Sequence, residues 1–340
     1  MKNKILICGE AWGDEEARQK VPFVGPSGYL LTNMLREAGI ERVECYITNV
    51  FALQPPGNNL DYLCVKSKKE STTNLPALSS GKYLDAKYLP ELHRLYREID
   101  EVQPNLILAL GNCATWALLH NTGITKIRGT VTRSIPINGR SYKVLPCIHP
   151  AAILRQWELR HVTVLDFAKG KIESAFPEIK RPARTVFMEP SLEDLQWFED
   201  NHINHARELS IDIETHGRQI TCIGFAPTVS ECLVLPFTDS RKPGNNYWPS
   251  LEDELIALGY MRRWLNSHHK KTLQNGLYDL QFIWKYGMTV TNCEDDTMLC
   301  HHSLQPESPK GLGFLGSVYT SEPAWKMMRE RGKKTIKADE

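Results

Sequence analysis

Short apolar blocks separated by polar, turn-forming stretches set the pattern of the first half of the chain. Residues 4–8 read as a buried strand, 29–38 as a helix closed by Gly39, 43–50 as an alternating β-rich strand, and 106–110 as another buried strand ended by Gly111. Between the first strand and the first helix lie residues 9–28, GEAWGDEEARQKVPFVGPSG. This stretch holds four glycines, two prolines and three consecutive acids, too much backbone freedom for a core element. It suits a loop that wraps a ligand at the carboxyl edge of a parallel sheet, or simply an ordinary long loop. Residues 60–82, with KSKKESTTN, read as an inserted surface loop. Residues 84–102 fit an amphipathic helix, 114–119 a further helix, and 127–145 a hairpin around Asn138-Gly139. This alternation over about 175 residues predicts one α/β domain with a parallel sheet.

The pattern changes after the proline-rich, basic residues 177–190, PEIKRPARTVFMEP, taken as a linker whose KRPAR run is either a solvated segment or a DNA contact. Residues 192–202 read as a helix. Strands at 208–214, 221–226 and 232–237 form an antiparallel meander, followed by a strand at 271–275, a helix at 276–286 and another helix opened by Asp295-Asp296. The domains expected are 1–176, the 177–190 linker, and 191–340.

Charge narrows the function classes. The chain has 340 residues with 41 Lys plus Arg against 40 Asp plus Glu, a net charge of +1. Any nucleic-acid contact must therefore come from local patches. The 326–337 run, KMMRERGKKTIK, is one candidate, and a solvated tail is the other reading. Nine cysteines without CxxC spacing suggest neither a disulfide framework nor a zinc ribbon, and fit a reducing cytoplasm. No apolar run approaches the roughly 18 residues of a membrane span.

Chemistry-bearing residues sit at the strand ends. Gly9-Glu10 leaves the first strand, Asn49 the second, and His149-Pro150 the last. An Asn amide can read a base edge. A His can stabilise charge on a leaving pyrimidine. A carboxylate can orient water or support an oxocarbenium-like sugar. Phe23 can stack on a planar base. Each also has a structural reading: turn residue, satisfied polar group, core anchor. In the second half, Asp212 and Glu214 alternate along one strand and share a face. Two such carboxylates repel unless a cation joins them, and paired divalent ions serve phosphodiester hydrolysis. A charge pair on an edge strand is the plain alternative.

GEAWGDEEARQKVPFVGPSGYLL, YITNVFALQPPGNN, PNLILALG and HPAAILR together resemble, in order and spacing, the motifs of family 4 uracil-DNA glycosylases. The resemblance implies an α/β/α sandwich that flips uracil out of DNA. It implies that Phe23 stacks on the base, Asn49 hydrogen-bonds it, His149 faces the leaving oxygen, and Glu10, with Glu16 second, handles the water or sugar cation. Gly9, Ala11 and Arg155 fall within the same motifs and are expected at the base. The family binds an iron–sulfur cluster through four cysteines. Here the N-terminal CxxC is missing, Leu53 stands at the third cysteine and Lys87-Tyr88 near the fourth, so no cluster is expected. Trp12 replaces the motif proline and Ala151 a serine beside the DNA backbone.

SIDIET, QNGLYDLQFIWKYG and DDTMLCHHSL resemble the 3′–5′ exonuclease domain of family A DNA polymerases. This implies an RNase H-like fold with a mixed sheet, Mg2+ or Mn2+ held by Asp212, Glu214 and Asp279, Asn275 beside them, and Asp296 in support. The family's YxxxD motif has no match before Glu340, and Asp339 has no tyrosine four residues earlier. The expectation is the front part of a longer, phage-type polymerase that removes uracil from single-stranded or primer-template DNA and trims 3′ ends, unable to polymerise alone, with a polymerase domain or replication proteins as partners. A uracil sensor that does not cut, and a nuclease on a degenerate glycosylase scaffold, are the alternatives.

Overall fold

The computed structural model describes residues 4–322. They form two compact units, one of residues up to Lys180 together with the described residues from Gly313, the other Arg181–Leu312. The 326–337 run and Asp339 lie outside the described residues.

The first unit runs β1 (Ile5–Ala11), α1 (Asp14–Gln19), α2 (Pro26–Glu37), β2 (Cys45–Phe51), β3 (Cys64–Val65), β4 (Tyr83–Leu84), α3 (Leu89–Val102), β5 (Leu106–Leu110), α4 (Gly111–Leu119), α5 (Ile124–Ile127), β6 (Thr132–Arg133), β7 (Lys143–Cys147), α6 (Pro150–Ile153) and α7 (Leu159–Glu173). Its main sheet has the order β2-β1-β5-β7-β6, parallel except for β6. The central strands read ILIC, LILAL and KVLPC and are buried on both faces, as a sheet covered by helices demands. One apolar cluster, with Ile7, Leu31 and Phe167, lies on one face. Another, with Leu6, Leu95 and Trp116, lies on the other. Chain order leaves β1 for β2 on one side and then crosses to β5 on the other, so the crevice at the carboxyl ends is a topological switch point.

The second unit runs β8 (Thr185–Phe187), α8 (Leu192–Asn201), β9 (Glu208–His216), β10 (Gln219–Ala226), β11 (Glu231–Pro236), α9 (Leu251–Leu265), β12 (Lys270–Leu273), α10 (Leu277–Lys285), β13 (Cys293–Asp296) and α11 (Thr297–Leu304). Its sheet, β13-β12-β9-β10-β11-β8, is mixed. β9, β10 and β11 are antiparallel, and β12, β13 and β8 join in parallel. Phe198, Phe225 and Trp264 anchor its core. A last helix, α12 (Leu312–Tyr319), follows.

Several expectations shift. The 9–28 stretch is not all loop: β1 continues to Ala11, and α1 forms within it. Val43 lies in a single 3-10 turn, so β2 begins at Cys45. The α3 helix starts at Leu89 rather than 84, because Asp85 caps a preceding turn by accepting from the Lys87 N–H. Residues 60–82 are more than a surface loop, since Leu63 and Leu78 are buried in the core. The 177–190 segment contains the edge strand β8. The described residues from Gly313 were expected with the second domain and pack with the first. The hairpin turn at Asn138-Gly139 has both residues at positive φ, 48° and 80°, as a tight hairpin requires.

Candidate active site

β1 delivers Gly9 and Glu10 to the carboxyl edge of the first sheet, β2 delivers Asn49, and β7 ends two residues before His149. The residues between β1 and α2 fold back over this edge. Glu16 organises them: Oε1 accepts from the Val24 N–H (3.0 Å) and Gly25 N–H (2.9 Å), and Oε2 from the Gly13 N–H (3.2 Å). Glu16 lines the cleft, but its oxygens are engaged with the loop's own amides. That makes it a loop-holding residue rather than a water-handling one.

The same fold-back sets Phe23 at φ 56°, a left-handed conformation costing about 1–2 kcal/mol for a bulky residue. Its carbonyl is clamped by Arg42 Nη2 at 2.9 Å, which also reaches the Pro22 carbonyl at 3.2 Å. Gly28 passes so close that any Cβ would overlap the Phe23 carbonyl. Phe23 is thus turned inward, its ring 5.7 Å from the His149 ring, centroid to centroid.

Asn49 is 3% exposed, and its Oδ1 has no hydrogen-bond partner. Behind it, Arg94 donates to the carbonyls of Asn49 (2.7 Å) and Val50 (3.1 Å) and pairs with Glu98 (2.7 Å) and Glu91 (3.2 Å). The backbone is therefore fixed, and Asn49 lines the cleft with its Oδ1 enclosed beside Gly9 and the Phe23 ring. Gly9 lets these two side chains pack directly on the strand, since a Cβ there would overlap both Asn49 Oδ1 and the Phe23 ring. His149 caps α6, its Nδ1 accepting from the Ala151 N–H at 3.1 Å. The ring's one proton in the neutral form is therefore on Nε2. Burial, helped by the Arg155 charge, holds the imidazole down to about 4, so it is neutral at ordinary pH. Burial pushes the Glu10 carboxyl upward, with Arg155 opposing.

These side chains line one cleft of about 510 Å³, which includes Glu10, Ala11, Phe23, Asn49, His149 and Arg155. A second hollow of about 500 Å³ also borders Glu10 and Asn112. Sequence reasoning missed Arg42, Arg94 and Asn112. Asn112 Oδ1 accepts from the Gly123 and Ile124 N–H groups at 2.9 Å each. All three act through the backbone, and no motif spacing marks them.

An iron–sulfur cluster does not fit the residues present. Cys8, Cys113 and Cys147 are buried in the core as thiols that burial pushes upward, Cys8 to about 12. Leu53, Leu60 and Leu75 pack on the apolar cluster around Leu63 and Leu78. Among the described residues no group of three or more His, Cys, Asp or Glu is arranged to hold a metal ion.

In the second unit Asp212 and Glu214 share the exposed face of β9. Asp279, 4% exposed on the first turn of α10, accepts from the Ile213 N–H between them at 3.1 Å. The structure thus seats Asp279 against the strand that carries Asp212 and Glu214, but among the described residues the three expected metal ligands are not grouped as a metal-holding set. Burial, with the Asp296 charge in support, pushes Asp279 upward. Asp296 caps α11 through the Met298 N–H (2.8 Å) and accepts from the Asn275 and Gly276 N–H groups at 3.1 and 2.7 Å. Asn275 is exposed and tied to Asp296 through its backbone.

The Uracil DNA glycosylase superfamily matches residues 2–169. The type-4 uracil-DNA glycosylase of Archaeoglobus fulgidus is 34% identical over 173 residues, 49% of this chain and 75% of that protein. That of Thermotoga maritima is 33% identical over 176 residues, 50% and 78% respectively. A DNA polymerase of Bacillus phage SP01 is 28% identical over 223 residues, 63% of this chain but 21% of the polymerase. A crystal structure of the EXD2 exonuclease domain soaked in Mn and GMP matches over 39% of this chain and 68% of its own at 15% identity, with a TM-score of 0.27.

Proposed function

The chain belongs to the type-4 uracil-DNA glycosylase family, and on that premise we infer that its first unit removes uracil from DNA by hydrolysing the N-glycosidic bond of an extruded nucleotide. The observation that carries this reading is the buried, unpartnered Asn49 Oδ1 on a residue that lines one cleft with Phe23 and His149. Uracil N3–H supplies the donor this oxygen lacks, and the Asn49 amide N–H supplies a donor for O4. Stacking on Phe23 adds about 1–3 kcal/mol.

As the bond between C1′ and N1 lengthens, its electron pair goes to the base and negative charge builds on O2. Neutral His149 donates Nε2–H there without itself needing to lose charge. The carboxylate form of Glu10 supports the cationic sugar and orients the water whose oxygen bonds to C1′. The water's proton passes to the carboxylate or solvent. No step requires an iron–sulfur cluster. Incubation with uracil-containing single-stranded DNA followed by alkali tests this: strand breaks are expected from the wild type and not from Asn49→Ala. Tight binding to uracil-DNA with no free uracil released would make the unit a sensor instead.

A second activity is favoured by Asp279 seated against β9 between Asp212 and Glu214. The second unit acts as a 3′–5′ exonuclease on DNA, as in a polymerase's proofreading domain, and Asp212, Glu214 and Asp279 are the residues that would hold Mg2+ or Mn2+ once drawn closer together than they stand here. Such ions activate water and steady the leaving oxygen in phosphodiester hydrolysis. Digestion of a 5′-labelled strand in magnesium, lost in Asp212→Ala, supports it. Equal digestion by both proteins refutes it.

A further inference from the structure

The described residues from Gly313 follow the second unit in sequence yet pack with the first. Their docking is polar and buried. Arg128 and Asp166 form an ion pair with side chains 5% and 1% exposed, Arg128 Nε donating to Asp166 Oδ2 at 2.8 Å. Arg128 Nη1 donates to the Ser317 hydroxyl at 3.1 Å, and its guanidinium lies 5.3 Å from the Phe314 ring centre. Lys169 Nζ donates to the carbonyls of Gly129 at 2.9 Å, Thr320 at 2.7 Å, and Ser317. Ser321 donates to Glu173 Oε1 at 3.1 Å, while Glu173 Oε2 pairs with the buried Lys143 at 2.9 Å. Gly129, at φ 72°, has no room for a Cβ beside Asp166 and the Ser317 carbonyl.

Arg128 also terminates α5, its backbone N–H donating to the Ile124 carbonyl at 2.8 Å. Ile124 and Thr125 of this single turn line the base cleft. Asn112 pins the start of the turn, and Arg128 pins its end. A continuous chain of contacts therefore runs from Phe314 and Ser317 through Arg128 to the wall of the cleft.

Resting on the glycosylase reading above, we propose that α12 is a clasp that positions the α5 wall of the uracil cleft. Arg128 is a positioning residue, and Phe314 and Ser317 act through it. The segment beyond the nuclease-like unit is thus a working part of the glycosylase. The physical reason is the enclosed guanidinium: without the Ser317 hydroxyl, Nη1 loses a partner in a buried place, and the side chain must move to find another.

The test uses the full chain. Binding of free uracil and single-turnover uracil release are measured for wild type, Ser317→Ala, the Phe314→Ala/Ser317→Ala double variant, and Phe314→Tyr, which keeps a ring against the guanidinium. The double variant is expected to bind free uracil on the order of tenfold more weakly, to raise KM, and to change kcat less, since the wall acts in binding. Phe314→Tyr is expected to match wild type. Unchanged uracil affinity in a folded double variant overturns the clasp while leaving the glycosylase intact. If the double variant does not fold, Ser317→Ala decides: weaker uracil binding supports the clasp, and wild-type affinity overturns it. A wild type that neither binds nor releases uracil overturns the glycosylase reading and the clasp with it.

Discussion

At the scale of single residues, the cleft keeps groups in states that folding alone would not choose. A buried polar atom left unpaired costs about 1–3 kcal/mol, and Asn49 Oδ1 is such an atom. Asn49→Ala should therefore leave the thermal midpoint unchanged or raise it, while uracil release falls by about 10²–10³. Calorimetry beside a rate measurement checks both halves. His149 is the second case, its folded value held at about 4 against an ordinary value near 6.5. Between those two values the unfolded chain takes up a proton that the folded chain does not. The His149 contribution to stability therefore rises with pH through this window and is complete above it. Activity behaves differently. Glu10 is pushed up by burial, so on lowering the pH its carboxylate is lost above the usual carboxylate range. The acid limb of the kcat/KM profile should belong to Glu10, and Glu10→Gln should flatten that limb at a reduced rate. A profile whose only break lies near pH 4 would assign the limb to His149.

At the scale of elements, the fold-back between β1 and α2 is held by Arg42 and Glu16 against the left-handed Phe23. Arg42→Ala should cost about 1–3 kcal/mol, read from the urea midpoint, and weaken uracil binding because Phe23 loses its clamp. Gly139→Ala, at φ 80° in the remote hairpin, should cost about 1 kcal/mol and leave uracil release untouched. The contrast separates a functional loop from a merely structural turn. What could be read from the chain follows the same division. Gly9, Asn49 and His149 were legible because buried strands announce themselves as apolar runs, and the residue after such a run sits at the sheet edge. α1 was not, because it buries no side chain and is held by Glu16 accepting amides far along the chain. α7 was not, because its buried side mixes Thr163, Asp166 and Glu173 with Val162, Val164 and Phe167, which breaks up the apolar stripe. The anchoring of residues 60–82 rests on Leu63 and Leu78, two points in a polar stretch. The docking of α12 on the first unit depends on Arg128 and Lys169, more than a hundred residues distant, where no local pattern reaches.

At the scale of the whole molecule, each unit carries its own candidate site with its own electrostatic logic. The first surrounds a neutral imidazole and an amide oxygen without a hydrogen-bond partner. The second presses a carboxylate against a strand that already carries two. Burial raises the Asp279 carboxyl above its usual value, so the folded chain binds its proton more readily than the unfolded chain. Its contribution to stability is then present at low pH and lost as pH rises through the raised value. A divalent cation reverses that preference by favouring the ionised form. Asp279→Asn keeps the shape, removes the charge, and retains an oxygen to accept from Ile213. It should make the chain more stable at neutral pH without metal, flatten the pH dependence of unfolding, abolish strand digestion in magnesium, and leave uracil release at the wild-type rate. EDTA should copy the catalytic half of this pattern in the wild type, stopping digestion while uracil continues to be released. Loss of uracil release in EDTA, or in Asp279→Asn, would show that the two chemistries are not separable in the way the two sites require.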